Sequence, residues 1–164
     1  MASQSGAILA LISAGYLLGS IPIAWIVTRL VTGKDLRSLG SGNVGVMNVA
    51  LNATRWAGLL VFLGEAAKGA LAVLLAARVT QCRLPAGGAG AFCDLAIGAA
   101  VLATVLGTRW MVWLRFAGGR GNTAGLAAML LLSWQTLALG FALWGLVRLA
   151  SRSSFWATRA CLLA

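Results

Sequence analysis

The residues of this chain best suited to chemistry are glycines, hydroxyls, amides and a few charged side chains, gathered mainly in two short segments. The first is Gly40-Ser41-Gly42-Asn43-Val44-Gly45, preceded by Lys34-Asp35-Leu36-Arg37. Glycine lets consecutive backbone N–H groups turn into one concavity that can cradle an anion, and Ser41 and Asn43 add neutral donors. The second is Phe116-Ala117-Gly118-Gly119-Arg120-Gly121-Asn122-Thr123. A glycine loop that opens a helix joins free N–H groups to the positive end of the helix dipole, and Arg120 adds a planar fork suited to phosphate. The spacing is not that of a Walker A loop. Each segment also has a plainer reading, the first as a flexible turn before a helix starting near Val46, the second as a tight basic turn. A third group, Glu65 and Lys68, lies three residues apart on one helix face inside an apolar run. Charges at membrane depth are costly and face protein or a polar cavity. The pair is either a mutually neutralising packing device or part of a site.

Several chemistries are poorly served. The chain has no histidine, and its three cysteines, Cys82, Cys93 and Cys161, form no CxxC, so a metal site is not expected. Asp35, Glu65 and Asp94 are the only carboxylate side chains. Cys82 and Cys93 share one connection. They are read as two small apolar side chains, with a disulfide as the alternative if that connection is extracytoplasmic.

The elements that must position these groups follow from composition. Of 164 residues, 60% are hydrophobic and 10% charged, where a soluble domain carries about 25% charged residues. A small domain has too much surface for a core to absorb that difference, so lipid is the expected solvent. Four apolar runs, at about residues 7–31, 56–77, 95–114 and 124–147, each approach the ~20 residues a helix needs to cross ~30 Å of hydrocarbon. None alternates like a barrel strand. The predicted fold is all-α: a polytopic transmembrane bundle of about four spanning helices with two glycine-rich cytoplasmic loops. Residues 1–6 hold no Lys or Arg and the first run is long for a cleaved signal, so it reads as a retained helix. Pro22 is expected to kink it. Small residues such as Gly98-Ala99-Ala100 suggest close helix packing. With no internal repeat, residues 1–164 read as a single integral membrane domain, with truncation at the C-terminus left open.

The net charge of +10 comes from 13 Lys+Arg against 3 Asp+Glu. No stacking aromatics interleave with the basic residues, so nucleic acid is not the expected partner; orientation in a bilayer and an anionic substrate are. Arg29, Lys34, Arg37, Arg55, Arg109, Arg115 and Arg120 flank the first and third connections, against Arg78 and Arg83 at the second. The positive-inside rule therefore places both glycine loops in the cytoplasm. Arg148, Arg152 and Arg159 run against it, because four crossings would put the tail outside. Two glycine loops on one membrane face could hold two phosphate groups beside a hydrocarbon bundle, an arrangement suited to forming a lipid.

At these residues the chain resembles the bacterial membrane acyl-phosphate:glycerol-3-phosphate acyltransferases. The matching pieces are Gly19-Ser20-Ile21-Pro22, residues 33–37, Gly40-Ser41-Gly42-Asn43-Val44-Gly45 with Asn48, Lys68-Gly69, and Phe116-Ala117-Gly118-Gly119-Arg120-Gly121, in the family's order and spacing from about Gly19 to Gly121. The resemblance implies acyl transfer from acyl phosphate to the primary hydroxyl of glycerol 3-phosphate, giving lysophosphatidic acid and phosphate in a bacterial plasma membrane, with no cofactor. It marks Ser41 and Arg120 as candidate catalytic residues. Gly40, Gly42, Asn43, Asn48, Lys68, Gly118, Gly119 and Gly121 become candidate substrate-binding residues, with Gly118–Gly121 the phosphate loop. The chain departs from the family at Val46-Met47, at Leu51 in place of an arginine, at Glu65 in place of an aspartate, at Thr108 in place of a histidine, and at Arg120 in place of a lysine. The family's C-terminal motif with His and Asn has no match. Arg55, one turn beyond Leu51, is a candidate replacement.

An acyl phosphate is already activated, so alignment and stabilisation of the leaving phosphate are what the protein must supply, and alignment alone is worth roughly 7–11 kcal/mol. Without histidine, a substrate phosphate oxygen is the expected proton acceptor, and Ser41 a donor and not an acyl carrier. A catalytically inert relative that binds lipid precursors and a small-solute transporter fragment with Glu65 and Lys68 along its path remain the alternatives; transporters often carry repeats, and none is found here.

Overall fold

The computed structural model describes residues 2–84 and 90–151, and all regular structure among them is helical. Helix α1, Ala2–Ser20, stops where Pro22 removes an N–H donor and restricts the residue before it, and α2, Ile23–Thr32, resumes the same run at an angle. Gly33, at φ 70°, ends α2 in the left-handed conformation. A polar connection with a 3-10 turn, Leu36–Ser38, leads to the short α3, Val46–Asn52. Thr54 then caps α4, Arg55–Thr80, its hydroxyl accepting the Ala57 N–H at 3.0 Å. Helix α5, Ala91–Arg109, returns antiparallel, and after a 3-10 turn, Val112–Leu114, come α6, Asn122–Leu132, and α7, Trp134–Ser151.

Among the described residues, three stretches are long and apolar enough to cross a bilayer: Gln4–Thr32, Arg55–Thr80 and Ala91–Leu114. The expected single helix over the fourth run is corrected: it breaks at Ser133 into α6 and α7. Ser133 is extended, and its hydroxyl accepts the Thr136 N–H at 3.3 Å and lies 2.9 Å from the Thr136 hydroxyl. One serine in an apolar run thus supplies the cap that starts a new helix. Arg152, Arg159 and Cys161 lie outside the described residues.

Packing is largely by small residues, with most leucines of the described helices turned outward. Helices α1 and α5 approach so closely that a Cβ on Gly19 would overlap the Thr104 carbonyl and one on Gly107 the Tyr16 carbonyl. Helix α6 seats on α4 at Gly69, where a Cβ would overlap the Ala124 carbonyl. Ala100 is buried as expected, but Gly98 faces open space and serves no close contact. One apolar cluster joins Leu11, Val73, Ala76, Ile97, Ala100 and Ala128; another joins Ala24, Leu36, Val44, Val49, Val61 and Met111. A polar layer of Ser20, Glu65, Lys68, Thr104 and Thr108 is also buried.

The cysteines are a further correction. Cys82 and Cys93 are joined as a disulfide, their Cα atoms 5.8 Å apart. The antiparallel α4–α5 hairpin explains this, because its closed end brings the last turn of one helix against the first turn of the next.

Candidate active site

The first glycine segment is held by one buried amide. Asn48, on α3, donates from Nδ2 to the carbonyls of Asn43 at 2.9 Å, Leu39 at 3.0 Å and Leu36 at 3.4 Å. Its Oδ1 accepts the Ser41 N–H at 3.3 Å and the Asn52 amide at 2.9 Å. Gly40 and Gly42 take φ values of 50° and 70°, and a Cβ on Gly40 would collide with the Asn48 and Asn52 side chains. Turn conformation and amide network therefore require each other. Asn48 spends its polar atoms on the loop and so organises it from within. Asp35 holds the loop's approach: its carboxylate receives the Arg37 backbone N–H at 2.9 Å and pairs with the guanidinium at 2.7 Å. The Arg37 side chain, and then its N–H, hold the Asp35 carboxyl well below the usual carboxylate range, while the same contact raises Arg37.

The second glycine segment is pressed between helices. A Cβ on Gly118 would overlap the Thr108 and Arg109 carbonyls, and one on Gly119 the carbonyl of Val44. The Gly119 N–H donates to the Thr108 carbonyl at 2.9 Å. Gly121, at φ 74°, turns the chain into α6. The contact between Gly119 and Val44 is where the two glycine loops meet.

Their junction lines a pocket of about 310 Å³, formed by residues 43–47, Glu65, Thr108 and residues 120–123. It brings together the expected Asn43, Arg120 and Gly121 with a buried carboxylate and the start of α6. Arg120 is exposed and has no hydrogen-bond or ion-pair partner among the described residues. Gly118 and Gly119 lie behind the lining and shape it. Ser41 is exposed in the turn, two residues from Asn43, with its hydroxyl accepting the Asn43 N–H at 3.4 Å, and it is not among the lining residues. Gly40 and Gly42 likewise stand outside. Leu51 is 75% exposed and Arg55 is exposed at the start of α4, so neither contributes to the lining.

Lys68 is also not in the lining. Its ammonium donates to Glu65 Oε1 at 2.8 Å and to the carbonyls of Ile21 at 2.6 Å and Gly19 at 3.2 Å. The proline break takes the Ile23 N–H from the Gly19 carbonyl to that of Ile21, and a buried cation completes the bonding of both where water would be absent. The pair thus ties α4 to the end of α1 and the link that follows it, and Glu65 lines the pocket. Thr108 joins it there, its hydroxyl bonded to the Thr104 carbonyl at 3.0 Å and the Gly19 carbonyl at 3.4 Å. The only sequence signal for Thr108 was its alignment with a family histidine, since a lone threonine on an apolar helix is unremarkable. For the donors on residues 44–47 there was only the glycine pattern.

A wider, more open cleft of about 840 Å³ lies between the proline break and the two 3-10 turns. Ile21, Pro22, Trp25, Ile26, Trp113 and Leu114 wall it, with Arg37 and Arg115 at its edge. It shares no lining residue with the smaller pocket.

Residues 9–164 match the family model described as glycerol-3-phosphate acyltransferase. A glycerol-3-phosphate acyltransferase of Anaeromyxobacter dehalogenans strain 2CP-1 is 38% identical over 155 residues, spanning 92% of this chain and 74% of the relative. That of Rubrobacter xylanophilus is 41% identical over 143 residues, spanning 87% of this chain and 65% of the relative. Among solved structures, PlsY, an integral membrane glycerol 3-phosphate acyltransferase, is similar in its glycerol 3-phosphate form with TM-score 0.69 and 31% identity, over 95% of this chain and 74% of that one. Its lysophosphatidic acid form matches with TM-score 0.67 and 28% identity over the same shares.

Proposed function

The chain belongs to the glycerol-3-phosphate acyltransferase family, and from that premise we propose that the pocket at the loop junction binds glycerol 3-phosphate and directs its primary hydroxyl onto an acyl phosphate. The reaction is transfer of a fatty acyl group to glycerol 3-phosphate, with lysophosphatidic acid as the lipid product. The observation that carries the site is the convergence of both glycine loops on one small pocket holding an unpaired arginine at a helix start.

Arg120 and the free N–H groups at the start of α6 supply charge and donors for the acceptor's phosphate. Asn43 and the backbone N–H groups of Val44, Val46 and Met47 add neutral donors in the same pocket. The hydroxyl oxygen bonds to the acyl carbon, the carbon–oxygen bond to phosphate breaks, and the departing phosphate takes the hydroxyl proton. No side-chain base is needed, since the leaving group is itself basic. Ser41, exposed in the turn two residues from Asn43, is assigned the role of a further hydrogen-bond donor to a substrate phosphate. The larger cleft, with its indole and aliphatic walls and cationic edge, supports a berth for the donor's acyl chain.

The disulfide at the far end of α4 and α5 favours an oxidising compartment there, which leaves the pocket facing the cytoplasm across a bacterial plasma membrane. The test is phosphate release by the protein purified in lipid and supplied with acyl phosphate. Release should depend on glycerol 3-phosphate and be matched by lysophosphatidic acid, with no acyl adduct on Ser41 by mass spectrometry. Equal release without glycerol 3-phosphate would mean hydrolysis and end this reading.

A further inference from the structure

Glu65 is only 5% exposed, yet one of its carboxylate oxygens is uncommitted. Oε1 accepts the Lys68 ammonium at 2.8 Å, and the described residues provide no donor to Oε2. Lys68 cannot serve it further, because its three protons are matched by Glu65, Gly19 and Ile21. The Thr108 hydroxyl is directed to backbone carbonyls. The free oxygen belongs to a residue that lines the 310 Å³ pocket together with Thr108 and Arg120. Oε2 keeps some accessibility in a side chain that is otherwise nearly buried, so a ligand O–H entering the pocket is its natural partner.

The pocket therefore asks for a molecule with two unlike ends: an anion for Arg120 and the start of α6, and a hydroxyl that donates to Glu65. Resting on the proposed acceptor site, we infer that Glu65 recognises the secondary hydroxyl of glycerol 3-phosphate. That hydroxyl keeps its proton throughout, so a fixed carboxylate acceptor suits it. The primary hydroxyl must instead turn a lone pair to the donor carbonyl and release its proton. Glu65 is then a specificity residue for a three-carbon polyol phosphate over a simple hydroxyalkyl phosphate. Lys68 is a positioning residue that fixes which oxygen faces the pocket.

The test compares glycerol 3-phosphate with 3-hydroxypropyl phosphate, which keeps the primary hydroxyl and phosphate and lacks the secondary hydroxyl. The wild-type protein should prefer glycerol 3-phosphate in kcat/KM by roughly 10–100-fold, the range for a hydrogen bond to a charged group. Glu65→Gln, which keeps a weaker acceptor, should reduce that preference. The double variant Glu65→Met with Lys68→Met, which removes the pair without leaving a lone buried charge, should reduce it to about twofold or less. If either variant is too slow to assay, the rise in melting temperature given by each compound reads the same preference. A purely structural role would change both compounds' values together and leave their ratio intact. An unchanged ratio in the double variant, or no preference in the wild type, overturns the inference. Failure of the wild type to acylate either compound overturns the acceptor-site reading as well, and is seen before any variant is made.

Discussion

Asn48 and Arg120 illustrate two ways a polar residue serves a pocket. Asn48 is buried and wholly engaged, joining Leu36, Leu39, Ser41, Asn43 and Asn52. Asn48→Ala should lower stability by about 2 kcal/mol, since the carbonyls it satisfies are left partly unpaired. The measurement is thermal unfolding in detergent, accompanied by a raised KM for the acceptor as the loop loosens. Arg120 is exposed and has no partner among the described residues, so its loss should spare the melting temperature. Asp35 adds a pH signature outside the membrane. Arg37 depresses its pKa in the fold, so the contact stabilises the protein at pH values above the unfolded carboxyl's 3.8 and loses that effect as pH falls toward the folded value. Asp35→Asn should be less stable than wild type near neutrality, and the difference should vanish on acidification. Equal melting curves at pH 7 would contradict it. That segments of both glycine loops, Arg120 among them, could come together was legible from residue types and from their predicted side of the membrane. The engagement of Asn48 and Lys68 was not, because spacing shows which polar groups are near one another in sequence and not which carbonyls are already waiting for a donor.

At the scale of elements, the break at Pro22 and the start of α3 at Val46 were readable, since proline chemistry and a glycine-rich lead are local signals. The division of the fourth run at Ser133 was missed because length and apolarity dominate such a reading, while a single hydroxyl is enough to cap a helix. The pairing of Cys82 with Cys93 was disfavoured for a similar reason: only the hairpin geometry brings the two together. The seat of α6 on Gly69 links packing to the site, since α6 carries the N–H groups and follows directly from Arg120. Gly69→Leu should displace α6 and cost roughly 1–3 kcal/mol or more. Both a lower melting temperature and a loss of acceptor binding are expected. Retained binding with unchanged melting would show that α6 does not need this contact.

For the whole molecule, membrane residence and family membership were both legible, the first from the shortage of charge and the second from the order of the glycine motifs. Orientation joins two independent asymmetries: basic residues at one end of the bundle and a disulfide at the other. In a Cys161→Ser background, Cys82 and Cys93 should resist a thiol reagent in intact cells until a reductant is added outside. A cysteine placed at Ser41 should react only after the cytoplasmic side is opened. Labelling of position 41 from outside would reverse the topology.

The central claim is that two glycine loops meet to hold the phosphate of glycerol 3-phosphate beside Arg120. Equilibrium binding of labelled glycerol 3-phosphate to the purified protein tests it most directly. Arg120→Ala should weaken binding by roughly 10–100-fold, as expected for a lost charge-assisted hydrogen bond, with an unchanged melting temperature and a smaller effect from Arg120→Lys. Wild-type affinity in a folded Arg120→Ala protein would place the phosphate elsewhere and contradict the account.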